Sequence, residues 1–321
     1  MLPDQWIAGA CLYFGLKLPM LSSFVGATIG NGGRRCDAYG FELMSAQVEG
    51  DGWRHKHDAI NWCVDGIAAA MQVRTTVEVY HLFSRHMSAT ARQFLWSGYL
   101  GKTARQGYIP DVLLHLNPCV LGEYKGITPC KSWYSERISV AAKNTFGYAV
   151  NHRQSSISRT YVRRAQKIDR DFHGTAPGVI GPFEKAIRAY GGHGIDDSLT
   201  GLAFGAFGGI SSQFTQLLRS LAKAGARRLY SRMASASMKH CESTLLWQAR
   251  RTLGHTLWTE GANLVLHRIQ HLGGPASRAR SKQRYAQFRF FPAGDPAAAT
   301  HAHRMEANGF DLGRDFHRFR R

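Results

Sequence analysis

Of 321 residues, 44 % are apolar, enough for a buried core, which excludes wholesale disorder. Lysine and arginine number 41 against 22 acids, a formal charge of +19, so the partner this composition implies is a polyanion, nucleic acid ahead of an acidic membrane surface. No apolar run approaches the roughly 20 residues that span a bilayer, and the run from Trp6 to Leu16 follows Asp4 without the Lys or Arg a signal peptide needs. Six widely spaced cysteines (Cys11, Cys36, Cys63, Cys119, Cys130, Cys241) form no CxxC pair, a pattern of free intracellular thiols rather than a disulfide framework or zinc module. The chain is expected to be intracellular, neither secreted nor in a membrane.

Residues 1–50 read as an N-terminal extension, with an apolar opening and a Gly-rich stretch around Arg34, Arg35 and Cys36. A core of residues 51–232 follows. Ile60, Val64, Ile67, Ala68 and Met71 recur at helical spacing behind the start signal Asp51-Gly52. Over 73–83, Val73, Thr75, Val77 and Val79 alternate with Arg74, Thr76, Glu78 and Tyr80, which predicts a strand. Residues 84–106 are a polar, partly helical insertion. Apolar runs at 108–116 and 119–127, parted by Asn117-Pro118, predict a hairpin.

A helix over 158–172 carries the apolar stripe Ile157, Tyr161, Ala165, Ile168 and Phe172. Residues 199–207 predict a buried, Gly-interrupted strand. Its glycines end in no Gly-Lys-Ser/Thr and do not space as GxGxxG, so close strand packing explains them better than a phosphate loop. Ser211 or Ser212 caps the next helix, whose buried face is Phe214, Leu217, Leu218 and Leu221. An appended helical region, 233–274, holds a helix over 243–272 stopped by Gly273-Gly274-Pro275. The tail, 275–321, is basic and mostly disordered. The fold class is therefore α/β (α+β), a mixed sheet in helix-strand-strand-strand-helix-strand order.

The chemistry sits on the hairpin. Asp111 opens one strand, and Glu123 and Lys125, two apart on the next, share a face. Phosphodiester hydrolysis needs a hard cation to offset charge developing on phosphorus and to acidify a water. Mg²⁺ is held by carboxylate oxygens and by the substrate's own phosphate. A lysine beside them orients the nucleophile or stabilises charge. With a three-residue connection, Leu116 pairs with Val120, Asp111 stands opposite Lys125, and Leu113 faces Glu123. All three functional groups then converge. A two-residue connection sends the two acids to opposite faces. The plainer alternative is a strand-initiating Asp and a solvated strand end.

The element Pro110-Asp111…Glu123-Tyr124-Lys125, in this helix and strand order, resembles the PD-(D/E)xK, restriction-endonuclease-like nucleases. More narrowly, Leu16-Lys17-Leu18-Pro19, Arg35-Cys36-Asp37 and Arg54-His55-Lys56-His57-Asp58-Ala59, with Pro110-Asp111, resemble the endonuclease region that follows reverse transcriptase in some non-LTR retrotransposons, and related protist open reading frames. The resemblance implies a restriction-endonuclease-like core and a nuclear endodeoxyribonuclease using Mg²⁺ (or Mn²⁺). Asp111 and Glu123 would be its metal ligands, Lys125 would act with them in catalysis, and DNA rather than RNA would be its substrate. It further implies the terminal portion of a longer mobile element. Of the family's Cys/His knuckle only Cys36 and His55 have counterparts, a degenerate remnant that argues against zinc.

In the family picture the helix after Asp51 approaches the active site, which makes His57 and Asp58 candidates to lie beside the metal. A dipole-favoured acid with a hydrogen-bonded histidine is the alternative. Arg159, Arg163, Gln166 and Arg170 recur opposite the apolar stripe of their helix, a ridge suited to tracking phosphates or simply solvated. Arg278, Arg280, Lys282 and Arg284 interleaved with Tyr285, Phe288, Phe290 and Phe291 suit a single strand or nuclear import. A nucleic-acid-binding protein without catalysis is the rival reading, and a scaffold with a basic surface the third.

Overall fold

The computed structural model describes residues 3–30, 33–46, 48, 52–78, 82, 88–90, 110–127, 142–189, 199–205 and 208–272. They belong to two units, Met1–Trp53 with Ala262–Arg321, and Arg54–Gly261. In the first, the apolar opening is a helix, α1 (Pro3–Phe14). After it come a 3-10 turn (Pro19–Phe24), a short antiparallel pair, β1 (Thr28–Ile29) and β2 (Arg34–Arg35), and α2 (Phe41–Ser45). Asp37 organises the start of α2: its carboxylate accepts from the backbone N–H of Tyr39 at 2.7 Å and of Glu42 at 2.6 Å. Those donors have no partner within the helix, so the carboxylate supplies one.

The remaining elements are α3 (Gly52–Ala70), β3 (Thr75–Val77), β4 (Val112–Leu114), β5 (Val120–Ile127), α4 (Ala142–His173), α5 (Pro182–Arg188), β6 (Thr200–Gly205), α6 (Ser212–Leu229) and α7 (Met238–Leu272). The larger unit is a mixed α/β structure around a four-stranded sheet ordered β3-β4-β5-β6. The first three strands are antiparallel, and β6 runs parallel to β5. Pleating sends alternate side chains to opposite faces. Val112, Leu114, Val120 and Tyr124 join the buried stripe of α3 (Ile60, Val64, Ile67) and apolar residues of α6 and α7. Leu113 and Leu121 face the other way, onto Ile157, Tyr161, Ala165 and Ile168 of α4 and Phe183 of α5. The stretch read as an appended helical region contributes Cys241, Leu245, Ala249, Leu253 and Leu257 to the first of these cores.

The hairpin register differs from the expected one. Leu114, not Leu116, pairs with Val120, and Leu113 pairs with Leu121 rather than facing Glu123. The connection takes in residues 115–119, and His115, the first of them, continues the pairing on the β3 side, its N–H donating to the Arg74 carbonyl at 2.9 Å. Extending the pairing by one residue puts Asp111 across from Glu123 instead of Lys125. The shift is two residues, so the faces are unchanged.

Other boundaries move for local reasons. β3 is shorter than 73–83: Glu78 has φ +49°, which strands do not tolerate, and 79–81 lie outside the described residues. The insertion at 84–106, outside the described residues except 88–90, keeps no assignment, nor does the tail at 275–321. The 158–172 helix starts much earlier, at Ala142. Part of its early buried face is polar: the buried Gln154 Oε1 accepts from the Gln213 N–H at 2.8 Å, which apolar periodicity does not register. Ser211 is the cap of α6, accepting from the Phe214 N–H at 3.3 Å. The short α5, absent from the sequence reading, begins at Pro182, where the buried Asp169 carboxylate accepts from Phe183 N–H at 2.9 Å and Glu184 N–H at 2.8 Å.

Candidate active site

β5 carries Glu123 and Lys125 to one face along its middle, and Asp111 immediately precedes β4, close enough for its charge to act on Glu123. Both carboxylates are buried, Asp111 9 % and Glu123 5 % exposed, whereas the Lys125 side chain keeps 41 % of its surface. The two acids are therefore buried while the neighbouring ammonium reaches solvent. Each carboxylate oxygen has a donor. Asp111 Oδ1 lies 3.1 Å from His57 Nε2, and Oδ2 accepts from the Tyr124 N–H at 2.5 Å. Glu123 Oε1 lies 2.8 Å from Lys125 Nζ, and Oε2 accepts from the Tyr161 hydroxyl at 2.8 Å.

The backbone of Asp111 is pinned as well. Its carbonyl accepts from the Asn61 side-chain amide at 3.1 Å and from the Glu78 N–H at 2.9 Å. Three elements thus converge on one residue: α3 through His57 and Asn61, β5 through the Tyr124 backbone, and the end of β3 through Glu78. His57 turns its other ring nitrogen to Asp58 Oδ1 at 3.3 Å. His57 thus links Asp58 to Asp111.

Burial and charge set the protonation of these groups. Burial opposes charge on His57, but hydrogen bonds and charges from Asp111 and Asp58 outweigh it and lift the imidazolium to about 10. Burial, then the neighbouring Asp111 charge, raises Glu123 to about 7, with Lys125 and Tyr161 pulling the other way. Burial, followed by the charges of Glu123 and Asp111, pushes the Tyr161 phenol well above its ordinary value, so its hydroxyl stays the donor.

Among the described residues, no group of three His, Cys, Asp or Glu side chains is arranged as a metal cage. The donor set here is a pair of carboxylates. That set suits Mg²⁺ or Mn²⁺, which takes one or two protein carboxylates and leaves its remaining positions to water and phosphate. Each ionised oxygen accepts at about two sites and uses one in the contacts above. Burial does most to raise Glu123, and the Asp111 charge, which adds to it, is the repulsion a cation relieves. Cys36, by contrast, is a buried thiol raised to about 11 by burial and then by Asp37, poor character for a metal-binding thiolate.

Arg159, Arg163 and Arg170 are exposed along α4, opposite its buried stripe. Gln166 is exposed too, but its amide donates to Glu184 Oε1 at 3.2 Å, so it serves the α4–α5 contact. Sequence reading missed two residues of the site. Tyr161 was counted only as part of an apolar stripe; the hydroxyl in a row of aliphatic positions was the available signal. Asn61, an amide next to the apolar Ile60, was the other. No helix among the described residues is long and apolar enough to cross a membrane. Compared with known proteins, the chain matches no protein-family model, no curated protein and no solved structure.

Proposed function

We propose that the larger unit is a restriction-endonuclease-like nuclease that hydrolyses DNA phosphodiesters with Mg²⁺ or Mn²⁺, acting in the nucleus as part of a mobile-element endonuclease. The observation that carries this reading is the pairing of two buried carboxylates, Asp111 and Glu123, with the Lys125 ammonium 2.8 Å from Glu123 and open to solvent. Asp111 and Glu123 would hold the cation, whose chemistry when bound is to offset phosphate charge and acidify a water. The residues around them have distinct tasks. The Tyr124 N–H and His57 fix the Asp111 carboxylate, and Tyr161 fixes Glu123, so neither acid needs to reorganise when substrate arrives. Lys125, the most accessible of the three, orients the attacking water and supports charge on the scissile phosphate. The exposed arginines of α4 hold the backbone.

The test is conversion of supercoiled plasmid to nicked circles by the purified chain with Mg²⁺, beside Asp111→Ala and Lys125→Ala. Both substitutions are expected to lower the rate at least about a hundredfold, the scale of losing one preorganised charge. Cleavage that survives both removes these residues from the mechanism.

One observation favours the rival reading, a nucleic-acid-binding protein without catalysis: all four carboxylate oxygens already have a donor, so the acids' charge is compensated from within. That protein would bind DNA with steep salt dependence, since neutralising phosphates releases counterions, and would respond to Mg²⁺ only through ionic strength.

A further inference from the structure

On the outer face of α7, in the larger unit, Trp247 leaves 54 % of its surface exposed. The opposite face of the same helix is anchored by the buried Cys241, Leu245, Ala249, Leu253 and Leu257. The indole is therefore held on a fixed rod, in contrast to a side chain on a loop. The Arg251 guanidinium, one turn on, lies over the ring at 5.4 Å from its centroid, within range for a cation–π contact. Further along the same side, a side chain at Gly254 would meet nothing within 4 Å, so the helix surface beyond Arg251 is open. Lys239, His240, Arg250 and His255 are exposed on the same stretch, while its acids, Glu242 and Glu260, are half-buried. Helical geometry gathers His240, Trp247, Arg251 and His255 on one side.

We infer that Trp247 and Arg251 form a stacking platform for the bases of single-stranded nucleic acid. The flat indole takes an unpaired base on the face that the Arg251 guanidinium leaves uncovered, and the flanking cations follow the phosphates. Duplex bases are stacked on one another and offer no free face, so the platform selects unpaired strand. The exposed cations Lys239, Arg250 and Arg251, with no exposed acid on this stretch, favour a polyanion over a protein partner or a second copy of the chain. The inference rests on the nucleic-acid half of the proposed function and is independent of the hydrolytic half.

Anisotropy of a fluorescein-labelled oligothymidylate, an oligouridylate and a duplex of equal length, with the full chain in EDTA, tests it without cleavage. Trp247→Ala is expected to weaken both single strands about tenfold, the scale of one lost base stack. It should spare the duplex and leave the salt slope unchanged, because indole carries no charge. Trp247→Phe should retain most of the affinity, and Trp247→Leu, which keeps apolar volume without a π face, should behave like Trp247→Ala. Wild-type single-strand affinity in Trp247→Ala overturns the inference. Equal loss on duplex, full affinity in Trp247→Leu, or loss confined to self-association in sedimentation overturns it as well. A chain that passes these tests but cuts nothing with Mg²⁺ loses the nuclease reading alone. Loss for one of thymidylate or uridylate only would narrow the ligand to that strand type and support the platform.

Discussion

Glu123 carries the opposing demands of the site. Burial and the Asp111 charge disfavour its ionised form, and Lys125 and Tyr161 partly restore it, with the balance at about 7 against an ordinary 4.5. His57 is displaced the same way, from 6.5 to about 10, by its two acid partners acting against burial. For both groups the folded protein holds the proton more tightly than the unfolded chain. Their stabilisation is therefore complete below the unfolded value and disappears as pH rises through the folded one. In EDTA, melting temperature should fall between pH 4.5 and about 7 through Glu123, and between pH 6.5 and about 10 through His57. Glu123→Gln should flatten the first window and His57→Gln the second. Curves for either variant that run parallel to wild type across its window would contradict the protonation states assigned here. Asp111, Glu123 and Lys125 were readable from sequence because strand parity is a rule of two. Tyr161 was not, since its ring obeys the helical stripe and only its hydroxyl belongs to the site.

At the scale of elements, the two acids meet because pairing errors of two residues preserve faces. The expected three-residue connection and the observed longer one both keep position 111 in phase with Glu123, and from there the Asp111 carboxylate turns to His57 of α3 while Glu123 turns to Tyr161 of α4. Parity was legible, and register was not, because the residue that lengthens the connection, His115, is held by β3 rather than by anything local. α4 shows the same limit: its 157–172 stripe was legible, and its earlier turns were not, since there it buries Gln154 against α6. The crossing of α4 over β6 is tight. A Cβ on Gly201 would lie 2.6 Å from the Gln154 carbonyl oxygen, a backbone atom that cannot swing away. Gly201→Ala is expected to cost about 2 kcal/mol, as overpacked cores do, read as a lower urea midpoint. An unchanged midpoint would mean that α4 and β6 are not in this contact. Sequence reading takes the 199–207 glycines as packing residues, and Gly201 makes such an approach.

For the whole molecule, composition points to a partner class before any fold is visible. A charge of +19 and exposed arginines along α4 fit a polyanion. Charge says nothing of catalysis, which in the proposed mechanism depends on two acids acting as one. The direct measurement is a double-mutant cycle on Mg²⁺-dependent plasmid nicking with Asp111→Asn, Glu123→Gln and the double variant, compared at equal DNA saturation. If both carboxylates serve a single cation, each single substitution removes the site, and the double variant is no slower than the slower single. Losses that multiply in the double variant, or nicking that persists at the wild-type rate in either single, would contradict the account.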